Sequence, residues 1–325
     1  PRVRRQRQMC IRDRLATTFL SSAANAVTST STQDSLKQEI LALNKKYQAA
    51  HNNRTITNIM RDFIGNYILG SGSSGYAEGG AIYNKDIIGS VTGNFIGNYA
   101  SGSGASGGAI YNEPGTIGDI TGDFIGNYAS AEKLFASGGA IHNYEGGKIG
   151  NITGNFIGNY ASGSYVEGGT ISNGGIIGDI IGDFIGNYAS GQISYGGVIY
   201  NYVAYSNHGI IGNISGNFIS NYASGSNEAL GGAIATTKSL TFTTNGDNKF
   251  FSDNYTKDPR GIIYNGIFVE TNYSSNPLLT FDTTGGGAWI INDNIDGGTL
   301  FGSNRAYQYN LAFKGDGVLN EDGLT

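Results

Sequence analysis

Residues 95–112 read FIGNYASGSGASGGAIYN, and this stretch contains the two phrases that decide the fold. Phe-Ile-Gly-Asn-Tyr and Gly-Gly-Ala-Ile-Tyr-Asn, or near variants, alternate along the chain with a period of 28 to 34 residues. The first phrase begins at Phe63, Phe95, Phe124, Phe156, Phe184, Phe218 and Phe251, and the second at Gly79, Gly107, Gly138, Gly168, Gly196, Gly231 and Gly261. Such a repeat predicts stacked structural units, with function on an extended surface.

One interval within the repeat is constant. An isoleucine lies seven residues before the Phe of the first six copies, as in Ile88–Phe95, whereas the stretch between Tyr and Gly-Gly varies from 7 to 11 residues. Glycine supplies 53 of the 325 residues, and each interior glycine costs a helix roughly 0.5–1 kcal/mol relative to alanine. The phrases are rich in Ile, Phe, Tyr and Thr, which favour strands. The sequence therefore predicts an all-β, right-handed, single-stranded parallel β-helix over residues 54–325.

Within this β-helix, particular residues should form columns through successive coils. The Phe column should lie inside, and the Asn column from Asn66 to Asn254 should form an amide ladder at a turn. The residue before each Phe alternates between acid and amide: Asp62, Asn94, Asp123, Asn155, Asp183 and Asn217. Two carboxylates on adjacent coils, about 4.8 Å apart, would repel by roughly 3.5 kcal/mol at an effective dielectric constant of 20. Both electrostatic selection and duplication of a two-repeat unit explain the alternation.

The variable segments, such as Ala129–Ala136 and Tyr202–His208, are predicted to be projecting loops that carry any binding, because loops tolerate changes in length. Beyond Lys238 the pattern loosens. Gly285–Ile290 and Phe301–Asn304 read as distant copies of the phrases, and Leu311–Val318 as a further strand and turn.

The first 53 residues do not belong to the repeats. We interpret residues 1–14 as a sequencing-adapter scar, because codons for this stretch can spell a common transposase-based adapter. Residues 15–26 end in Ala-Asn-Ala and are interpreted as the remnant of a signal peptide, with a simple linker as the alternative. Residues 27–53 are predicted to form a linker and a capping helix, or else a plain tether, since Leu36, Ile40, Leu43 and Tyr47 share one helical face.

Composition excludes several classes of function. The formal net charge is −5, and residues 1–14 hold six of the 20 basic and one of the 25 acidic residues. The remaining 14 basic and 24 acidic residues give a net charge of −10, so no nucleic-acid partner is expected. Cys10 is the only cysteine, which leaves no disulfide framework or thiolate metal site in the repeats. No apolar run reaches the ~18 residues of a transmembrane segment.

Catalytic chemistry was sought among the carboxylates. Asp119 with Asp123, and Asp179 with Asp183, are the candidate pairs for glycoside hydrolysis, but they recur with the repeat and so favour a structural role. No arginine lies between Asp62 and Pro259, whereas a polysaccharide lyase needs a basic residue beside its substrate. We therefore predict no catalytic residues and no enzyme.

Metal, cofactor and ice-binding signals are equally weak. The histidines His51, His142 and His208 lack metal-ligand spacing, so no metal or cofactor is predicted. A threonine array of the kind that binds ice is suggested by Thr92, Thr121 and Thr153. Ile181 and Ser215 interrupt that column.

The alternation of F-x-x-N with G-G-A-[ILV] over about residues 56–304 resembles the repeats of chlamydial polymorphic outer-membrane proteins and, more broadly, autotransporter passengers. Departures are Thr170 and Val198 in place of Ala, and Ile262-Ile263 in the seventh copy. The resemblance implies a right-handed β-helix passenger displayed on a Gram-negative cell surface, and an outer-membrane β-barrel following in the whole protein.

From this resemblance we expect a non-enzymatic, adhesin-like passenger of an autotransporter, located at the cell surface, in the outer membrane or outside the cell. Its expected partner is a host or cell-surface protein or glycan. The alternative is a secreted β-helix enzyme, a lyase or glycoside hydrolase, that acts on polysaccharide.

Overall fold

The computed structural model describes residues 55–71, 75–202, 209–270, 277–298 and 310–319. The chain divides into two units, residues 1–57 and 58–325, and the account below concerns the second. It is an all-β solenoid of about seven turns, with mostly parallel strands in stacked coils and no helix in the described residues. The predicted parallel β-helix is confirmed, while its right-handed sense stays a prediction. The predicted scar, signal-peptide remnant and capping helix, residues 1–53, lie outside the described residues. The first described strand is Thr55–Met60.

Each coil contributes strands to three sheets that run along the solenoid. Sheet 1 contains Ile87–Thr92, Thr116–Ile117, Ile120–Thr121, Lys148–Ile149, Ile152–Thr153, Ile176–Ile177, Ile180–Ile181, Ile210–Ile211, Asn213–Ser215, Leu240–Thr243, Leu278–Asp282 and Asn310–Lys314. Sheet 2 contains Phe63–Ile64, Phe95–Ile96, Phe124–Ile125, Phe156–Ile157, Phe184–Ile185, Phe218–Ile219, Lys249–Ser252, Trp289–Ile291 and Val318–Leu319.

Sheet 3 has two limbs that meet at the Gly-Gly turns. The first limb contains Tyr67–Leu69, Tyr76–Glu78, Tyr99–Gly102, Gly104–Ser106, Tyr128–Ala131, Phe135–Ser137, Tyr160–Glu167, Tyr188–Tyr195, Tyr222–Leu230 and Tyr255–Asp258. The second limb contains Ile82–Asn84, Ile110–Asn112, Ile141–Asn143, Ile171–Asn173, Ile199–Asn201, Ile234–Thr236, Gly261–Glu270 and Asn294–Gly298.

The phenylalanine column occupies the core, as predicted. Its seven rings, from Phe63 to Phe251, pair in register between successive coils. They stack with ring centroids 4.5–4.9 Å apart. From Phe95 onward every ring of the column is fully buried. The column of leading isoleucines, from Ile88 to Ile211, is buried in register as well. The interval between the two columns is constant because both of them stack in the core.

The Gly-Gly pair is required for two separate reasons, which Gly168 and Gly169 illustrate. Gly168 has a φ of +69°, a left-handed conformation that favours glycine. A Cβ on Gly169 would lie 2.1 Å from the Gly197 carbonyl oxygen of the next coil. The first glycine permits the turn between the limbs of sheet 3, and the second permits the coils to stack at that turn.

The variable segments are not all loops. Ala129–Ala136 is mostly strand, since Tyr128–Ala131 and Phe135–Ser137 pair with the continuous strand Tyr160–Glu167 of the next coil. The prediction of a loop there is wrong, because small residues let this segment lie flat in sheet 3 and its change in length is absorbed by Glu132–Leu134. In the second predicted loop, residues 203–208 lie outside the described residues.

The C-terminal coils correct two further assignments. The start of Gly261–Glu270 folds back antiparallel on Tyr255–Asp258, and Ile267 continues the core column from Ile234. Gly261 is therefore not the seventh copy of the second phrase, because a hairpin is inserted before the column resumes. Trp289 pairs with Lys249 in sheet 2, so Gly285–Ile290 is not a copy of that phrase either.

Farther on, the expected strand is present at Asn310–Lys314, and Gly315 follows it in a positive-φ turn. The predicted copy at Phe301–Asn304 lies outside the described residues.

Candidate functional site

The carboxylates that sequence analysis considered belong to structural ladders. Asp123 Oδ1 accepts from the backbone N–H of Asn155 at 2.7 Å, and Asn155 Oδ1 accepts from the backbone N–H of Asp183 at 3.0 Å. The parallel column connects Asp119, Asn151 and Asp179 in the same way, with N–O distances of 2.8 Å. Asn155 therefore lies between two aspartates of neighbouring coils, as predicted. Each Oδ1 of these ladders accepts a hydrogen bond from a backbone N–H of the next coil.

The predicted amide ladder is present and continuous. From Asn66 to Asn254, each side-chain Nδ2 donates to the Oδ1 of the asparagine in the next coil at 2.8–3.1 Å. From Asn98 to Asn254 these residues are fully buried. Each Nδ2 from Asn98 onward also donates to a phenylalanine carbonyl, as Asn159 does to Phe124 at 2.8 Å. The ladder satisfies buried polar groups at the turn.

A second buried asparagine ladder was not predicted. It consists of the last residue of the Gly-Gly-Ala-Ile-Tyr-Asn phrase, namely Asn84, Asn112, Asn143, Asn173 and Asn201, joined by side-chain bonds of 2.8–2.9 Å. Its signal was present in the sequence, since the asparagine recurs in five copies of the phrase.

The tyrosine of the first phrase forms a column on the outer surface. Seven rings, from Tyr67 to Tyr255, stack with centroids 4.7–5.1 Å apart and ring planes within 8° of parallel. Each ring face in the interior of this column is covered by its neighbours, so the column presents edges to a ligand. The threonine column is also in register, and Ile181 interrupts it as predicted.

Two columns of outward residues flank the Gly-Gly turn where the limbs of sheet 3 meet, and we call this strip of the molecule the corner groove. It is defined by the outward column at the end of the first limb (Glu78, Ser106, Ser137, Glu167, Tyr195) and by the facing column of the second limb (Tyr83, Tyr111, His142, Ser172, Tyr200). Strand alternation turns these residues away from the core. Tyr111, His142 and Tyr200 are nevertheless only 5%, 5% and 7% exposed, because neighbouring rings pack against them.

The side chains of the groove interact along the solenoid. The His142 ring packs edge-on against Tyr111 at 5.2 Å and Tyr144 at 5.7 Å, measured between ring centroids. Its Nε2 lies 3.5 Å from the Tyr202 hydroxyl oxygen. Farther along, Tyr195 lies 5.5 Å from Tyr200 between ring centroids. The groove is thus lined by aromatic rings whose identity changes from coil to coil.

Burial shifts the titration of these groups. Burial lowers the pKa of His142 to about 3, so its imidazole is neutral at physiological pH. Burial, and after it the charges of Glu78 and Glu113, raises the pKa of Tyr111. The pKa of Glu167 is also raised by burial, and the Ser137 hydroxyl, which donates to Glu167 Oε2 at 3.3 Å, partly opposes that shift. The histidine and the tyrosines of the groove are therefore uncharged near neutral pH, and burial without a counter-ion disfavours the ionised form of Glu167.

One cation of the chain itself binds at the first coils of the groove. The Lys85 ammonium lies 3.5 Å from Glu113 Oε2 and 5.2 Å from the centroid of the Tyr83 ring. The Tyr83 hydroxyl donates to the same carboxylate oxygen at 3.1 Å. A carboxylate and a ring face together thus hold an ammonium group here.

The sequence predicted no site residue, and His142 stands there as a substitute for the repeat tyrosine. The groove could not be recognised because burial of outward residues depends on how neighbouring rings pack against them. Within the described ranges, no group of three His, Cys, Asp or Glu side chains is placed to hold a metal ion. In the same part of the chain, no helix is long and apolar enough to cross a membrane.

Comparisons of the chain with protein-family models, with curated proteins and with solved structures give no match.

Proposed function

We propose that this chain is a non-enzymatic, adhesin-like passenger of the autotransporter type, displayed at a bacterial cell surface, and that the corner groove carries its binding. The single observation that carries the proposal is the pair of columns along the groove, which place aromatic, carboxylate and serine side chains on either side of the Gly-Gly turn in successive coils. A linear row of this kind matches an extended segment of a host or cell-surface molecule. The alternation of the two motifs supports the autotransporter type.

The spacing of the groove carboxylates favours binding over hydrolysis. Glu78 and Glu167 occupy one column and are separated by three coil steps, which is roughly 14 Å at about 4.8 Å per coil. Glycosidases place their two carboxylates about 5–9.5 Å apart. The other candidate carboxylates, Asp119 with Asp123 and Asp179 with Asp183, accept backbone hydrogen bonds from the next coil. A polysaccharide-active enzyme remains the alternative.

The test is attachment of beads coated with the purified full chain to cultured epithelial cells. Removing two rim aromatics, Tyr83→Ala with Tyr144→Ala, is expected to reduce attachment strongly. A matched variant on sheet 2, Ile157→Ala with Ile185→Ala, removes two comparably exposed apolar side chains and should leave attachment unchanged. If neither variant changes attachment, or if the wild-type beads do not attach, the proposal fails. Release of new reducing ends from polysaccharides by the chain would support the enzyme instead.

A further inference from the structure

Glu167 is a half-buried carboxylate at the middle of the corner groove. Among the described residues, its polar partner is the Ser137 hydroxyl, which donates a weak bond at 3.3 Å. Among the described residues, no lysine, arginine or histidine forms an ion pair with it. Partly buried charges are usually paired, since loss of hydration disfavours the ionised form. A cation from outside the chain would complete this site.

Three tyrosines lie near this carboxylate. Tyr195 follows Glu167 in register on the next coil, and Tyr200 lies across the Gly-Gly turn from Tyr195. Tyr202 stacks on Tyr200 with ring centroids 5.2 Å apart. After burial, the negative charge of Glu167 is the largest cause that raises the pKa of both Tyr200 and Tyr202, which places these hydroxyls in its field. Ring faces beside a carboxylate are the setting in which cations bind by cation–π attraction.

His142, in the facing column of the groove, has a nitrogen without a hydrogen-bond partner in the part of the chain that the structure describes. Its ring is 95% buried, yet among the described residues no hydrogen-bond partner reaches Nδ1. In the tautomer whose Nε2–H donates to the Tyr202 hydroxyl, Nδ1 presents a free lone pair. Because this imidazole is neutral at physiological pH, it adds an acceptor and supplies no positive charge.

We infer that the corner groove binds the ammonium or guanidinium group of a lysine or arginine side chain from a partner protein, with Glu167 as the counter-charge. This inference deepens the proposed function by naming the chemistry of the ligand. Among the residues that the structure describes, the site combines a carboxylate that lacks a counter-ion, an acceptor nitrogen without a partner and a cluster of tyrosines, and each of these attracts a cation. The Lys85 ammonium already occupies such a setting beside Glu113 and Tyr83.

The charge of the whole solenoid favours the same ligand. The chain without residues 1–14 has a net charge of −10, which steers basic partners toward it. A neutral glycan would accept and donate hydrogen bonds in the groove, but it would leave the Glu167 carboxylate without a counter-ion. A basic protein segment therefore fits better than a neutral glycan.

The test uses the full chain and short capped peptides of alternating lysine and serine, with arginine–serine and glutamine–serine peptides for comparison. Calorimetric titration should show that the lysine or arginine peptide binds and the glutamine peptide does not. Glu167→Gln should weaken that binding by about tenfold. Glu132→Gln removes the same charge from an exposed position outside the groove and should weaken it by about twofold at most. Melting curves verify that both variants fold.

A second readout does not depend on any variant. The ¹⁵N resonance of His142 Nδ1 should move when the lysine or arginine peptide is added and stay in place with the glutamine peptide. Equal loss of binding in Glu167→Gln and Glu132→Gln, or an unmoved His142 resonance, would overturn the inference. So would binding of a neutral cello-oligosaccharide in place of the basic peptides.

The two proposals fail separately. Cell attachment that needs the rim tyrosines but survives Glu167→Gln would remove the cation site and leave the adhesin. Peptide binding without any cell attachment would support the cation site and remove the adhesin.

Discussion

The coils between Ile88 and Asn201 and the coils after Lys238 solve the same packing problem in different ways. In the regular coils the phenylalanine column and the two asparagine ladders each repeat one residue type, so identical rings and amides stack in register. In the later coils Phe242 follows Ile214 in the core, and Phe281 and Trp289 pack against it at 5.0 and 5.8 Å between ring centroids. A solenoid can therefore exchange stacked columns for an aromatic cluster, provided that the interior stays filled.

The polar ladder changes at the same boundary. Asn254 donates to Asp293, a carboxylate in the place where the earlier coils have an asparagine. Burial raises the pKa of Asp293 to about 6. The regular coils thus satisfy this turn with neutral amides, whereas the C-terminal coil leaves a buried group that is ionised at neutral pH. Regular stacking protects against such charges, and the following predictions test that difference.

The largest effect is expected from a cavity in the regular stack. Phe156→Ala should lower the free energy of unfolding by about 3–5 kcal/mol, because Phe124 and Phe184 are held by their strands and cannot close the gap. Denaturant unfolding followed by circular dichroism measures it. Ile157→Ala, the next residue on the outer face, is the control and should cost far less. Similar losses for both variants would contradict the stacked core.

The next effect concerns the amide ladder. Asn159→Ala removes the acceptor of the Asn127 backbone N–H and side chain, and the donor to the Phe124 carbonyl. Leaving such buried groups without partners should cost about 2–4 kcal/mol. Thermal unfolding measures this loss. The control is Asn151→Ala, which removes a ladder bond at an exposed position and should cost less. A loss no greater than that of Asn151→Ala would show that the buried ladder adds little.

Asp293 should make stability depend on pH in the acid range. Its folded-state pKa of about 6 exceeds the usual value of about 3.9, so the folded state binds more protons between these values. Stability should therefore fall as pH rises from about 4 to about 6, by about 2–3 kcal/mol. Asp293→Asn, which restores an amide to the ladder, should abolish this slope and stabilise the protein at neutral pH only. Denaturant melts of both proteins at several pH values in this range measure the effect. The same pH dependence of stability in the two proteins would contradict a raised pKa at Asp293.

The smallest effect tests the charge alternation of the regular coils. Asn155→Asp would place three carboxylates on successive coils and should cost about 1–2 kcal/mol at low salt, less at high salt. Asp123→Asn, the control, should be neutral or slightly stabilising because an amide keeps the Oδ1 acceptor. Salt-dependent denaturant melts measure both. If Asn155→Asp matches the wild type at low salt, duplication alone explains the alternation.

The sequence determined the solenoid and its interior. The constant Ile-to-Phe interval predicted the stacked phenylalanines, and recurrence of the asparagine in the first phrase predicted the ladder from Asn66 to Asn254. Both follow from sequence because a stacked coil places each residue over its own repeat, so contacts between distant residues become a pattern in one dimension. The second ladder, from Asn84 to Asn201, could have been predicted in the same way, because its asparagine also recurs in the repeat.

Only the tertiary structure decided the rest. Ala129–Ala136 lies in a sheet because the neighbouring strand Tyr160–Glu167 provides partners, which a change in segment length does not reveal. Ile267 continues the core column because the hairpin at Gly261 shifts the register. The corner groove exists because two columns of outward residues flank the Gly-Gly turn and neighbouring rings bury His142 on the outer face. Periodicity states which residues stack, but the angle between sheets decides which outward residues meet.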